Sequence, residues 1–323
     1  MSDLTEEKVI KIFKEVIGQP KQRFSRIGDD VVYLPTSRRS KVIVNSDMLV
    51  KSTDVPPRMS LWQASRKALI MSASDLAAKG VRPNSCLISI ALPGGYSEKD
   101  IRDLARGVKI AKDELGTEFL GGDTNSGNDL IIDCTMIGFA DRIISRGGAK
   151  VGDQVYVTGE FGLTGAGMLM LFGEYTANLS FRKKAIDSVL LPKARVDEGV
   201  GLSKKELMSA SIDSSDGLAI SLYLIAESSN VRIELDTLPL AVGLIQFASD
   251  NNIDPEALAL YSGEEFEIVF STPGRKAGNV NKVLRRYGRQ AVRIGSVTKG
   301  KPSVFLQGKL VKRKGWMHRS DSN

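Results

Sequence analysis

The chain has 323 residues, 42% of them hydrophobic and 26% charged, enough apolar material for one large core or two medium ones, and two domains of about 150 residues are the ordinary expectation. Lys and Arg number 45 against 38 Asp and Glu, a formal net charge of +7, which favours anionic ligands without choosing among small molecules, nucleic acid and a membrane surface. A single histidine, His318, close to the C-terminus, and two cysteines without CxxC spacing, Cys86 and Cys134, speak against a Ser-His-Asp triad, a histidine zinc site, zinc ribbons, iron–sulfur clusters and a disulfide framework. No run approaches the roughly 18 apolar residues needed to span a bilayer. The polar, acidic start is unlike a signal peptide, so a soluble protein of a reducing cytoplasm is expected.

In chain order, Thr5 precedes Glu6, Glu7 and apolar residues at Val9, Ile10, Phe13, Val16 and Ile17, the pattern of a capped amphipathic helix ending at Gly18 and used for packing. After the turn-like IGDD, the run KVIVNSD predicts a buried strand that stops at Asp47. Ser60 caps a long predicted helix through Leu61, Ala68, Leu69, Leu76 and Ala77, closed by Gly80 and Pro83. Strand CLISIALP, a helix from about Glu98 to Leu115, a GGDTN turn and strand DLIIDCTMIGFA follow. The glycine-rich, charged stretch RGGAKVGD, Arg146 to Asp153, marks a boundary between domains at 1–145 and 146–323. Beyond it, QVYVTG, RIELDTL, EFEIVFST and QAVRIGSV read as strands, LTGAGMLMLFG and 276–287 as helices, and SIDSSDG joins a short strand to a helix near Gly217. Such alternation gives α/β or α+β layers.

Six aspartates stand out. Asp30, Asp47, Asp123, Asp213 and Asp216 fall on predicted strand ends or tight turns, whereas Asp75 lies inside the long helix among Ser72, Ser74 and apolar neighbours, where a carboxylate needs donors or a cation. IGDD, NSD, GGDT and IDSSDG pair acids with Gly, Ser or Thr, gathering oxygens without bulk. Oxygen-only sets suit hard cations such as Mg²⁺, commonly shared with substrate phosphates. A cluster of so many carboxylates repels itself unless several cations bind at once. There is no Walker A sequence and no protein-kinase HRD or DFG signature. GLTGAG, Gly162 to Gly167, has the wrong glycine order for a dinucleotide loop and reads as close helix packing. Arg146 beside Gly147 and Gly148 is a candidate phosphate contact. A phosphate monoester has a second pKa of about 6 and is ionised at neutral pH, so its attack on a γ-phosphate needs positioning and charge neutralisation rather than a histidine base.

The segments IGDDVVYL, NSDMLV, KALIMSASDLAAKGVRP, LGGDTN, SRGGAKVGDQVYVTGEFG, IDSSDGL and SGEEFEIVF, running in order from Ile27 to about Phe270, resemble the thiamine-monophosphate kinase family of the aminoimidazole-ribonucleotide-synthetase-like (PurM-like) superfamily. The resemblance implies two α/β domains, the N-terminal ones pairing across a two-fold axis into a strand barrel, hence a homodimer. It implies ATP-dependent transfer of the γ-phosphoryl group directly to thiamine monophosphate, with several Mg²⁺ ions held at Asp30, Ser46, Asp47, Asp75, Asp123, Asp213 and Asp216. Gly122, Asp123, Arg146 and Ser215 would meet the nucleotide, and Asp47, Asp123 and Arg146 would carry the catalysis. The thiamine portion would lie near Glu264, Trp316 and Asp54, the aromatic ring offering a face to a cationic thiazolium.

Three positions depart from the family pattern. KSTDVPP places Asp54 where bacterial members carry a histidine, SGEEFEI places Glu265 where Asp is frequent, and NSD keeps only one hydroxyl, at Ser46. Other ATP-cleaving superfamily synthetases are the nearest alternative; a selenophosphate synthetase expects a reactive N-terminal Cys or selenocysteine, absent from this chain. A nucleic-acid-binding protein is the alternative of another class, resting on the net charge and on a tail from Lys299 with seven Lys or Arg and one Asp. Scattered basic residues and 6% aromatics speak against it. No nucleic-acid or membrane partner is expected.

Overall fold

In the computed structural model, residues 6–17, 29–36 and 40–315 are described. The first part comprises α1 (Glu6–Ile17), β1 (Val32–Leu34), β2 (Lys41–Val50), α2 (Lys51–Asp54), α3 (Leu61–Ala78), β3 (Pro83–Leu92), α4 (Glu98–Leu115), β4 (Glu118–Ser126) and β5 (Ile131–Ala140). Its sheet runs β1-β2-β5-β3-β4, antiparallel except for the β3–β4 pair. After the RGGAKVGD stretch come β6 (Gln154–Val157), α5 (Leu163–Phe172), α6 (Leu179–Leu190), α7 (Val196–Lys204), β7 (Ala210–Asp213), α8 (Leu218–Ser229), β8 (Arg232–Leu235), α9 (Leu244–Asp250), α10 (Pro255–Tyr261), β9 (Ile268–Thr272), α11 (Val280–Leu284), β10 (Val292–Thr298), β11 (Ser303–Leu306) and β12 (Lys309–Leu310). The second sheet runs β12-β11-β8-β10-β6-β9-β7.

Helices α3 and α4 start on capping boxes, Ser60 with Gln63 and Ser97 with Asp100. α3 packs against β2 and β5 on one side and against α7 and β7 of the second part on another, so one core holds Leu69, Leu76 and Ile132 together with Val200, Ile268 and Phe270. That dual packing explains why the helix is buried almost all round, including a fully buried lysine, Lys67, and is followed by another, the C-cap Lys79. Cys86 and Cys134 sit on the paired strands β3 and β5 as free, buried thiols.

Four sequence expectations change. β2 does not stop at Asp47: it pairs with β5 over ten residues, to Val50, because alternation hides Ile43, Asn45 and Leu49 on one face while Ser46 and Met48 take the other. The GGDTN segment is not a turn but part of β4, parallel to β3; a Cβ at Gly122 would come within 1.7 Å of the Ile88 carbonyl oxygen, so only glycine permits this approach. Residues 274–287 form the short α11 between two 3₁₀ turns rather than one helix. The apolar stripe of α1, expected to pack, leaves Phe13, Val16 and Ile17 exposed within the chain.

The first sheet is open, with no closed barrel among the described residues, and its face away from α3 exposes Val32, Leu34, Met48, Leu87 and Phe139. No helix among the described residues is long and apolar enough to cross a membrane.

Candidate active site

The C-terminal half of α3 brings its acid to the acids of both parts. Carboxylate oxygens of Asp30, Asp75 and Asp213 lie within 4.8 Å of one another. Asp213 ends β7, which α3 touches, and Ser74 Oγ donates to it at 2.7 Å. Asn45, on the α3 side of β2, donates its amide to Asp75 at 2.8 Å. Asp47 follows two residues later on the same strand face and is close enough to act on the charge of both Asp75 and Asp213. Burial, then Asp213, Asp30 and Asp47, push the Asp75 carboxyl well above the ordinary range. Asp213 is pushed up to about 7 by burial and then Asp30, with the Ser74 hydrogen bond opposing.

Asp30 differs. Burial acts to raise its pKa, but Lys79 and Arg146 outweigh that and hold it below the usual carboxylate range. Lys79 Nζ, fully buried, reaches Asp29 at 2.7 Å, Asp30 at 2.5 Å and the Ser211 carbonyl at 2.8 Å. Arg146 Nε donates to Asp30 at 2.8 Å. Five carboxylates, Asp29, Asp30, Asp47, Asp75 and Asp213, thus face two cations.

Two buried oxygens in this corner, Asn45 Oδ1 and Ser214 Oγ, have no hydrogen-bond partner among the described residues. An oxygen-only set with excess negative charge and unspent acceptors fits a hard divalent cation. Neither Asn45 nor Lys79 was singled out from the sequence; the signal for Asn45 was its two-residue spacing from Asp47 on one strand face.

Two other expected ligands, Ser46 and Asp123, lie elsewhere. Ser46 points to the opposite face of the sheet, its Oγ at 3.0 Å from Asp133 and from Thr135 Oγ1. Asp123 stands on edge strand β4, exposed beside Ser89. Asp47 and Gly122 share one cross-strand row, with Cys134 and Ile88 between them, so at about 4.8 Å per strand the two are roughly 14 Å apart. Within one chain Asp123 therefore does not join the cluster. Asp216 follows in the IDSSDG loop, partly buried, and Ser215 beside it is exposed. Trp316 lies outside the described residues; Gly315, the last of them, packs so closely on Asp216 that an added Cβ would come within 2.8 Å of its carbonyl oxygen.

Beside Lys67, in the first half of α3, lies a cavity of about 260 Å³. Met168, Leu169, Phe172 and Leu258 give it apolar walls, and Asp54 and Glu264 supply carboxyl groups. The Asp54 carboxylate accepts the Val50 N–H at 2.6 Å, closing the α2 turn. Glu264 has a left-handed backbone, φ +64°, and its N–H donates to the Ser215 carbonyl at 2.6 Å, joining this cavity to the acid-bearing loop. Neighbouring Glu265 turns away to accept the N–H groups of Gly162 and Thr164 at the start of α5; burial first, against those hydrogen bonds, pushes it up to about 7. Gly165 and Gly167 of the GLTGAG run let α5 close on Ser262 and on the Ala185 carbonyl, as the packing interpretation expects. A larger cavity, about 920 Å³, opens beyond Glu265, and two of the charged residues that line it, Arg195 and Glu267, pair with each other.

Residues 28–140 match the family described as AIR synthase related protein, N-terminal domain, and residues 150–307 match AIR synthase related protein, C-terminal domain. The thiamine-monophosphate kinase of Nitrosopumilus maritimus is 35% identical over 98% of this chain and 99% of its own length. That of Pyrococcus horikoshii is 38% identical over 90% and 89%. The solved structure of AaThiL complexed with AMPPCP and TMP superposes with a TM-score of 0.86 at 28% identity, covering 99% of this chain and 98% of that one. With two α/β units of this ancestry and identity running along nearly its whole length, the chain belongs to the thiamine-monophosphate kinase family.

Proposed function

We propose that the protein transfers the γ-phosphoryl group of ATP to thiamine monophosphate, giving thiamine diphosphate and ADP, with the polyphosphate at the Asp30–Asp75–Asp213 corner and the thiamine rings in the 260 Å³ cavity. The single observation that carries this reading is that α3 bears Asp75 of the acid cluster and, about two turns earlier, Lys67, which contacts the two carboxylate-bearing residues lining the 260 Å³ cavity, the two regions being linked by the Ser215–Glu264 hydrogen bond. A phosphate oxygen of thiamine monophosphate bonds to the γ-phosphorus as the bond to the β–γ bridging oxygen breaks, and the electron pair leaves on ADP. The acceptor is already an anion, so no side chain has to take a proton.

The chain's own residues bind and orient. Asp30, Asp47, Asp75, Asp213 and Asp216, with Asn45 and Ser214, would hold Mg²⁺ ions, which when bound supply neutralisation of the charge on the transferring phosphoryl group. Arg146, anchored by Asp30 and one-fifth exposed, is the direct phosphate contact, and Ser215 and Gly122 meet the nucleotide. Glu264 and Asp54 flank the thiamine, and Trp316 is the aromatic residue that would contact its rings.

Homodimerisation through the exposed face of the first sheet accounts for its apolar residues. It also gives Asp123 a role, because a residue that cannot reach the corner of its own chain can complete that of a second copy. Incubation of the protein with ATP, Mg²⁺ and thiamine monophosphate is expected to give ADP and thiamine diphosphate one for one. Hydrolysis of ATP without thiamine diphosphate, or no turnover with Mg²⁺ present, contradicts the proposal.

A further inference from the structure

We infer that Lys67 is a positioning residue for the thiamine substrate: it holds the Glu264 carboxylate against the cavity wall in the one place where it can accept a hydrogen bond from the amino-substituted pyrimidine. This deepens the kinase reading and rests on it. Lys67 lies on α3 with its whole side chain buried, and its Nζ contacts Glu264 Oε1 at 2.5 Å and the Asp54 carbonyl oxygen at 2.7 Å. Both partners line the cavity. One ammonium therefore ties together the cavity's two acidic walls, one from each half of the molecule.

Glu264 needs such a tie. Its left-handed backbone is unfavourable for a residue with a side chain, and Phe266 two residues on shares the strain at φ +50°. The Ser215 carbonyl fixes the Glu264 backbone on one side, but the carboxylate itself, about one-fifth exposed, is gripped by Lys67. An ammonium has three donors and accepts nothing, so it engages one carboxylate oxygen and leaves the other lone pairs for a substrate donor. A cavity this apolar makes an oriented acceptor a strong discriminator, because a substrate without the matching N–H leaves the carboxylate unsatisfied. Lys67 touches neither phosphate nor the acid corner, whose Asp75 stands roughly 12 Å further along the helix, so its effect should fall on thiamine recognition alone.

The test compares wild type, Lys67→Met, Lys67→Gln and Glu264→Gln by steady-state kinetics on thiamine monophosphate and on an analogue with hydroxyl in place of the pyrimidine amino group. Lys67→Met is expected to raise KM for thiamine monophosphate about ten- to a hundredfold, leave KM for ATP within about twofold, and erase most of the preference for substrate over analogue. Glu264→Gln should erase the same preference. Lys67→Gln retains a donor for the Asp54 carbonyl and supplies the measurement if the Met variant loses its cooperative melt. Loss of preference in Glu264→Gln but not in either Lys67 variant overturns the role of Lys67 while leaving the kinase reading intact. Equal losses on ATP, substrate and analogue, tracking a lowered Tm, would mean a merely structural lysine and also overturn it. Failure of the wild type to use thiamine monophosphate would instead sink the reading on which the inference rests.

Discussion

Helix α3 carries one sealed lysine, Lys67, in its first half and is capped at its C-terminus by another, Lys79, and the two keep different company. Lys67 faces one side-chain carboxylate, Glu264, beside an apolar cavity; Lys79 faces Asp29 and Asp30 in a corner that also holds Asp47, Asp75 and Asp213. Near Lys67 the carboxylates are few and each is held by the protein itself, Glu264 by the ammonium and Asp54 by the Val50 N–H. At the Lys79 end the fold supplies more negative charge than it cancels, and the surplus appears as carboxyls pushed above their ordinary range. A balanced end selects a shape, whereas an end left in debt to cations recruits them, and phosphates with them.

The sharpest way to break this contrast is Asp75→Asn. Turnover is expected to fall about a thousandfold, since an acid in the middle of the cluster contributes several kcal/mol to holding charge at the reacting phosphoryl group. The metal-free variant should nevertheless melt above wild type at pH 8, by about 1 kcal/mol or more, because a buried repulsion is gone. A variant that melts lower and loses activity in proportion would make Asp75 a structural acid. Thermal denaturation with and without EDTA, alongside a turnover assay, distinguishes the two.

Lys79→Met tests the other partner in the same corner. It strips Asp29 and Asp30 of a buried counter-charge, so metal-free stability is expected to drop by about 3–5 kcal/mol, with part recovered on adding Mg²⁺. Recovery by Mg²⁺ is not expected for Lys67→Met, which removes the partner of one carboxylate, Glu264, rather than of an acid cluster. Equal Mg²⁺ responses in the two variants would erase the contrast.

The smallest expected effect is on pH dependence. Asp213 sits at about 7 in the folded protein against about 3.9 when unfolded. The folded state therefore holds an extra proton between those values, and metal-free stability falls as pH rises from about 4 to about 7, then levels. Cation binding must displace that proton, so the Mg²⁺ concentration for half-maximal activity should be about tenfold higher at pH 6 than at pH 8. A flat dependence from pH 6 to 8 would show that Asp213 does not share a site with the ion.

Much of this was legible from the chain. An aspartate in the middle of a long, well-capped helix with apolar neighbours marked Asp75 as a buried carboxylate, and the helix is where the pattern put it. Glycine-and-acid runs marked IGDD and IDSSDG, which do converge. Strand NSD was harder, since alternation decides which side chains face α3, and the phase is set by pairing with β5 rather than by composition. Asn45 therefore enters the corner while Ser46 turns to Asp133 on the far face. GGDTN has the composition of a turn, but Gly122 lets β4 press against β3, and a close parallel approach leaves no periodic trace. Lys67 and Lys79 were invisible because a lysine is ordinarily exposed; only the acids that pack against them from distant segments explain why these two are not.

Crystals soaked with Mn²⁺ and a non-hydrolysable ATP analogue test the central claim most directly, through the anomalous signal of the metal. Peaks bridging the β- and γ-phosphates to Asp30, Asp75 and Asp213 are the expected result. Phosphates held by Arg146 and other basic side chains, with no metal peak near those three carboxylates, would contradict the account.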